Sequence, residues 1–164
     1  MKKFFWISLF GTQFFTLIIF AQEKQLFGFG PFDWNSGKEV VKDIMKEKFN
    51  LLPGYEKEDA IGFEGGEYFG EKMHIQVFFF EQNKLNEVDL VIENINRSVS
   101  AIFYEIIHNM NEEYGDPDLF QPDEWIAEWF YYDFPDKKLN ATIKISPYTG
   151  GKKTSIKIVF LRVK

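Results

Sequence analysis

Cysteine is absent from this chain of 164 residues, and histidine occurs only twice. Without thiols, a disulfide, a thiolate nucleophile and a cysteine-ligated metal centre are all excluded. His74 and His108 lack an acidic neighbour at the spacing of the zinc-binding HExxH motif. The two histidines therefore give no reason to expect a catalytic or metal site.

Glycine-rich and nucleophile motifs are missing as well. The segments 28–30 and 65–66 each contain two glycines, but neither is followed by the helix and lysine of a phosphate-binding loop. The Gly-x-Ser-x-Gly elbow of serine hydrolases does not occur. We therefore predict no catalytic residue and no cofactor.

Carboxylates remain as candidates for chemistry because acidic residues are common. The acidic segment 112–124 has no glycine at the sixth position of an EF-hand loop counted from Asp116, so we interpret it as solvated loop charge. Glu64 and Glu67 are one of many pairs that a glycoside hydrolase could use, but sequence does not give their separation in space. A carboxylate hydrolase stays an alternative function, and no metal site is predicted.

Positive charge is scarce, with 19 lysines and arginines against 25 acidic residues and a net charge of −6. Such a chain repels nucleic-acid phosphates, so we expect no nucleic acid among its partners. Net negative charge also disfavours binding to an anionic membrane surface. The simplest role of this charge is to keep the protein soluble.

Long apolar runs occur only near the N-terminus. Lys2 and Lys3 precede the apolar segments 4–10 and 14–20, and Ala21 provides a small residue for cleavage. These are the three parts of a secretory signal, here of the bacterial type and ending at residue 21. A retained anchor is the alternative, although a bilayer-spanning helix needs about 20 apolar residues without a polar break. We therefore predict export to the periplasm or the extracellular space, with no stable membrane span after cleavage.

Two amphipathic helices are predicted in the rest of the chain. The first begins at Ser36, which stands at capping-box spacing from Glu39, and ends at Asn50. Its apolar face consists of Val40, Val41, Ile44, Met45 and Phe49. The second begins at Ser98 and ends at Gly115. Its apolar face consists of Val99, Ile102, Phe103, Ile106, Ile107, Met110 and Tyr114.

Apolar runs with the period of two that is typical of strands follow each helix. After the first helix they cover 60–64, 73–80 and 84–93, and after the second they cover 124–133, 140–146 and 155–162. Asn83-Lys84 is predicted to be the tight turn between the second and third runs. A short extended run over 26–34 precedes the first helix.

Short turns between successive strands require antiparallel pairing. We therefore predict that residues 22–164, the length of one ordinary domain, form a single α+β domain. Its core is a twisted antiparallel sheet of about six strands with both helices packed on one face. The expected tandem order is one helix followed by three strands, in pseudo-repeats 36–93 and 98–162.

This order of elements covers most of residues 36–164 and resembles that of the beta-lactamase inhibitory proteins and related small exported bacterial proteins. The helix stop at 114–117, Tyr-Gly-Asp-Pro, is also similar to one in small exported bacterial proteins of unknown function. The resemblance implies a tandem of helix and three-stranded modules. It assigns no functional residue.

One side of the predicted sheet is uniformly apolar and is expected to lie beneath the helices. The other side mixes aromatic residues with charges, whereas the exposed face of such a sheet is normally polar. We interpret its apolar side chains as an interaction surface, because exposed apolar patches with aromatic anchors are typical of binding sites. They are Phe78, Phe80, Phe130, Tyr132, Val159 and Leu161. The alternative is that a loop, the segment 22–35 or a second subunit covers them as core.

These features predict a non-enzymatic exported protein that binds another envelope or secreted protein, or a second copy of itself. A module that binds a sugar or an apolar small molecule through Trp34, Trp125 or Trp129 is an alternative, although these side chains also suit a core. A hydrolase would need a pocket with converging acids, which nothing in the sequence requires.

Overall fold

The apolar runs pair into an antiparallel sheet in the computed structural model, which describes residues 25–92, 97–133, 136–148 and 155–163. The elements in chain order are β1 (Gly28–Phe29), β2 (Phe32–Asp33), α1 (Lys38–Phe49), β3 (Pro53–Glu56), β4 (Ala60–Glu64), β5 (Glu67–Tyr68), β6 (Glu71–Lys72), β7 (Ile75–Glu81), β8 (Lys84–Ile92), α2 (Val99–Tyr114), β9 (Leu119–Gln121), β10 (Ile126–Asp133), β11 (Lys138–Tyr148) and β12 (Ser155–Arg162). The predicted signal, 1–21, lies outside the described residues. No helix within the described ranges is long and apolar enough to cross a bilayer.

Eight strands of the described chain form the main sheet, in the order β3-β4-β7-β8-β12-β11-β10-β9, with every neighbouring pair antiparallel. The six predicted strands are its inner strands. The predicted number is too low because β3 and β9 add one edge strand on each side. Strand β3 contains Pro53 and Gly54, and β9 has three residues, so neither shows a clear strand pattern. Each helix is therefore followed by four strands of this sheet, and not by three.

The tight turn between β7 and β8 lies one residue before its predicted place. Gln82 and Asn83 form it, with φ of 51° and 58°, and Lys84 is already the first residue of β8. A two-residue turn with positive φ at both positions matches the right-handed twist of the strands that it joins. The turn brings Asn83 next to the start of α1, where its side-chain oxygen accepts a hydrogen bond from the Lys38 amide at 3.4 Å.

The capping box predicted at Ser36 does not form. Helix α1 begins at Lys38, and its N-cap is Gly37, which has no side chain to accept a hydrogen bond. The Ser36 carbonyl accepts a hydrogen bond from the Leu85 amide at 2.9 Å. This contact ties the chain before the helix to β8, so tertiary pairing takes the place of a local cap.

The buried face of α1 is narrower than predicted. Val41 and Met45 are fully buried, whereas Val40 is 49% exposed. Successive residues on a helix are about 100° apart, so Val40 points well away from the line through Val41 and Met45. The predicted end is confirmed, because Asn50 has the left-handed conformation, with φ of 54°.

Helix α2 agrees with its prediction at both ends. The Ser98 hydroxyl accepts a hydrogen bond from the Ala101 amide at 3.2 Å, and Gly115 ends the helix with φ of 76°. Val99 of the predicted apolar face is partly buried. The other members are fully enclosed: Ile102, Phe103, Ile106, Ile107, Met110 and Tyr114.

Cross-strand register shows which side chains share a side of the sheet. Phe78, Val88, Phe160, Ile143 and Trp129 stand opposite one another in β7, β8, β12, β11 and β10. All five belong to the hydrophobic core that also contains the buried residues of α1 and α2. We call this side of the sheet the helix-covered face and the other side the open face.

The hairpin β1–β2 adds two phenyl rings to the same core. The ring of Phe29 lies 4.4 Å from that of Phe160, and the ring of Phe32 lies 4.9 Å from that of Phe78, measured between centroids. Both hairpin rings are 1% exposed. The hairpin therefore covers the helix-covered face, and the open face receives no contact from it through these rings.

Candidate binding surface on the open face

The structure divides the six predicted interaction residues between the two sides of the sheet. Phe78 and Phe80 lie on the helix-covered face and are 0% and 7% exposed. Phe130, Val159 and Leu161 lie on the open face and are partly buried. The grouping differs from the prediction because β7 is apolar on both sides, so its sequence does not show which side matches which side of β10 and β12.

Tyr132 stands apart from both groups. A bulge between Tyr131 and Tyr132 shifts the register of β10 against β11, and Tyr132 pairs with Leu139 near the end of the strand. A bulge of this kind places an extra residue in one strand and turns the side chains beyond it. Tyr132 is 44% exposed, and no single patch contains all six predicted residues.

Two rows of side chains cross the open face at the centre of the sheet. The first row is Phe79, Glu87, Leu161, Thr142 and Phe130 in β7, β8, β12, β11 and β10. The second row, in the same strands, is Val77, Asp89, Val159, Lys144 and Glu128. Apolar and polar side chains thus alternate along the first row, and the second row ends in two charged side chains.

Two carboxyl groups lie side by side where the rows cross β8. Asp89 is only 7% exposed, and its Oδ2 is 2.6 Å from the Lys157 Nζ. Its Oδ1 is buried and accepts no hydrogen bond from an N–H group of the described residues. Glu87, two residues earlier on the same side of β8, is partly buried. A carboxylate that is buried with one oxygen unsatisfied costs free energy unless a donor is supplied.

Burial raises the pKa of Glu87 above its ordinary value, and the charge of Asp89 and a hydrogen bond to Asp89 raise it further. Lys157 acts in the opposite direction but does not cancel these effects. Two carboxyl groups can share a hydrogen bond only when one of them holds a proton. Glu87 therefore holds its proton more readily in the folded protein than an ordinary glutamate does.

Tyr55 extends the charged region toward the β3 edge. A side-chain carbon on Gly62 would lie 2.0 Å from Tyr55 Cε1, so the tyrosine ring occupies the space that the glycine leaves. Burial raises the pKa of Tyr55, and the charge of Asp89 adds to that effect. Tyr55 therefore lies close enough to Asp89 to feel its charge.

The neighbouring charges on the open face are already paired. Lys144 Nζ lies 2.6 Å from Glu128 Oε1, directly across β11 and β10. Within the described part of the chain, no lysine or arginine forms a salt bridge with Glu87. Of the carboxyl groups in the two rows, Glu87 is thus the one without a cation of its own.

The variant Glu87→Gln is expected to be more stable than the wild type at pH 7. Because the folded pKa is raised above the ordinary value of 4.5, the native state holds the proton more tightly than the unfolded state. The cost of the ionised Glu87 is absent below pH 4.5 and appears as the pH rises through the folded pKa. Solvent screens a partly exposed carboxyl, so we expect a gain of roughly 0.5 kcal/mol.

Urea unfolding of both proteins between pH 4 and pH 8 measures this effect. The matched control is Glu64→Gln, which removes an exposed carboxyl from β4 on the same face. If the wild type instead gains stability over Glu87→Gln as the pH rises, the fold stabilises the ionised carboxylate. The predicted sign of the stability difference is then wrong.

The predicted ligand-stacking tryptophans are enclosed to different degrees. Trp34 is 4% exposed and donates its indole N–H to the Leu26 carbonyl at 2.8 Å. Trp129 is 2% exposed and donates to the Gly115 carbonyl at 2.7 Å. Trp125 is partly buried against the core. The indole groups of Trp34 and Trp129 are thus committed to packing and to backbone hydrogen bonds.

Two clefts lie away from the open face. One, of about 360 Å³, is between the β1–β2 hairpin and the end of α2, and the other, of about 530 Å³, is beside the start of α1. Both are open to solvent, whereas small-molecule sites enclose most of their ligand. The second cleft is lined by Lys38, Glu39, Glu56, Glu58, Asp59, Phe80, Gln82 and Asn83.

The other candidate catalytic and metal-binding residues do not form a common site. Glu64 and Glu67 are exposed on β4 and β5, and His74 and His108 are exposed on opposite halves of the chain. Among the described residues, no group of three histidine, aspartate or glutamate side chains is placed to hold a metal ion.

The sequence reasoning missed the Glu87–Asp89 pair. The signal that could have found it is two acidic residues on alternate positions of a strand whose other residues from Val88 to Ile92 are all apolar. Such residues share one side of a strand. Glu87 and Asp89 do not stand out in the sequence, because an acidic protein contains many carboxylate pairs.

The open face therefore offers a partly apolar surface with a carboxyl pair at its centre, of which Asp89 is buried and Glu87 partly exposed. Its function must be inferred from this geometry and from the physical chemistry of the side chains. Comparisons with protein-family models, with curated proteins and with solved structures found no match to this chain.

Proposed function

We propose that this protein is an exported, non-enzymatic binding module that docks another envelope or secreted protein on its open face. The observation that supports the proposal is the position of Phe79, Phe130, Val159 and Leu161 on that face, across the central strands of the sheet. An exposed sheet face is normally polar. Apolar side chains between charged ones are the composition of a protein interface.

The remaining features are consistent with binding and offer little for catalysis. The clefts are open, and the tryptophans that could stack a sugar are partly or wholly enclosed. Export rests on the pattern of Lys2, Lys3 and the apolar residues that follow them. An exported protein meets its partners in the envelope or outside the cell, so we place the partner there.

Photo-crosslinking in the producing cells tests this proposal. A photoreactive phenylalanine derivative is placed at Phe130 or at Leu161, and the matched control position is Tyr104, which is 52% exposed on α2. We expect adducts of one defined size from the two open-face positions and none of that size from Tyr104. Mass spectrometry then identifies the partner.

Adducts from Tyr104 alone, or equal adducts from all three positions, would contradict docking on the open face. An adduct of two copies of this chain would show self-association in place of a foreign partner. Circular dichroism of each variant shows whether the fold is retained.

A further inference from the structure

We propose that the Glu87–Asp89 pair binds a basic side chain, arginine or lysine, of the docked protein. This inference rests on the proposed function and names the chemistry that anchors the partner. It follows from the buried Asp89 oxygen that no N–H group of the described residues reaches, the missing cation of Glu87 and the apolar side chains around both.

The first argument is the hydrogen-bond requirement of the pair. The Lys157 Nζ forms a salt bridge with Oδ2 of Asp89 at 2.6 Å. The buried Oδ1 has no N–H donor among the described residues. Glu87 has no salt bridge within the same part of the chain. A guanidinium group has five donors in a planar fork that fits two carboxylate oxygens, and an ammonium group has three. Glu87 is the partly exposed member of the pair, and a basic group bound to it would take the place of the proton that Glu87 shares with Asp89.

The second argument is the apolar frame of the pair. Phe79 and Leu161 flank Glu87 in the two neighbouring strands, and Val77 and Val159 flank Asp89 in the same way. Arginine and lysine place long aliphatic stems on apolar surface while their charged ends reach polar groups. The ring of Phe79 can also attract a cation through its face.

The third argument is charge. The chain has a net charge of −6, and the next ion pair on the open face, Lys144 with Glu128, is already neutral. A basic partner is therefore attracted from a distance and finds one unpaired carboxyl at the centre of the sheet. An acidic side chain at the same place would meet two carboxyl groups and be repelled.

Binding of a cation should also depend on pH. A cation favours the ionised form of Glu87, so the proton on the pair is released when the cation arrives. The charged and titratable groups that face the pair are Lys157 of β12 and Tyr55 of β3, with Lys144 and Glu128 further along the second row. The facing positions of β7 are apolar, so no group of that strand competes for the proton.

The test uses a capped peptide of alternating leucine and arginine residues, with a citrulline peptide as its neutral counterpart, added to the isotope-labelled protein. We expect saturable shifts of the backbone amide signals of β7, β8 and β12 with the arginine peptide and none with the citrulline peptide. Glu87→Gln should weaken the binding at least tenfold, while the matched control Glu64→Gln should change it less than twofold. The affinity should also fall as the pH is lowered from 7.5 towards 4.5.

Equal affinities of the Glu87→Gln and Glu64→Gln variants, or shifts confined to the acidic segment 112–124, would overturn this inference. The two proposals can fail separately. If crosslinking from Phe130 and Leu161 captures a partner whose affinity Glu87→Gln leaves unchanged, docking on the open face stands and the basic anchor is wrong. Unfolding curves of both variants confirm that loss of binding is not loss of fold.

Discussion

Replacing Phe78 with alanine is expected to lower the free energy of unfolding by about 3–5 kcal/mol, whereas the same change at Phe79 costs about 1 kcal/mol. The two residues are neighbours on β7 but point to opposite sides of the sheet. Phe78 is fully buried, with ring centroids 4.9 Å from Phe32 and 5.7 Å from Phe63. Its removal leaves a cavity between two rings that cannot close around it.

Phe79 provides the matched control because it has the same size and strand but lies partly buried on the open face. Urea unfolding followed by tryptophan fluorescence measures both variants, and crosslinking from Leu161 measures their binding. We expect Phe79→Ala to weaken docking while the fold is retained. Similar losses of stability for the two variants would mean that the open face is covered as core and is not a docking surface.

Gly28→Ala is expected to lower the free energy of unfolding by about 3 kcal/mol, although it adds a single methyl group. That methyl group would lie 1.9 Å from the Phe32 carbonyl oxygen, which belongs to the backbone and cannot rotate away. The β1–β2 hairpin must open to admit it. Because Phe29 and Phe32 are each 1% exposed, opening the hairpin removes two rings from the core.

The control for this change is Gly30→Ala in the same hairpin. An added methyl group there meets no atom within 4 Å, so only the positive φ of 52° is strained. We expect this variant to lose about 1 kcal/mol. If the two variants have equal stability in urea unfolding, the close approach at Gly28 is not what limits the hairpin.

The predicted gain of stability in Glu87→Gln and its predicted loss of binding have the same physical cause. A side chain that destabilises the folded protein at neutral pH, yet lies at the centre of a surface, is a feature of functional sites more than of structural ones. The cost arises because Glu87 is desolvated beside Asp89 with too little compensating positive charge. A partner that supplies the charge would recover that cost on binding.

Much of the secondary structure could be predicted because it depends on local periodicity. The caps of α2 at Ser98 and Gly115 and the bounds of β4 and β12 are those predicted. The start of α1 and the edge strands could not be predicted, because they depend on contacts with residues that are distant in sequence. The chain before α1 is held to β8 by the hydrogen bond from the Leu85 amide to the Ser36 carbonyl, and β9 pairs with β10.

The candidate site could be predicted only in part, for a similar reason. Phe130, Val159 and Leu161 share the open face as expected, but Phe78 and Phe80 lie beneath the helices. A strand that is apolar on both sides leaves its orientation open until it pairs with its neighbours. The Glu87–Asp89 pair became visible as a site only when β7 and β12 framed it with apolar side chains.

Sequence by itself determined the two helices and the six inner strands of the sheet, that successive strands run antiparallel, and that thiol chemistry is absent. These properties follow from side-chain period, turn length and composition, which act within a few residues. Tertiary structure alone decided which side of β7 meets the helices and which carboxyl groups form a framed pair on the open face. The physical reason is that a one-residue change of register exchanges the two faces of a strand, and only packing of the whole sheet against the helices selects between them.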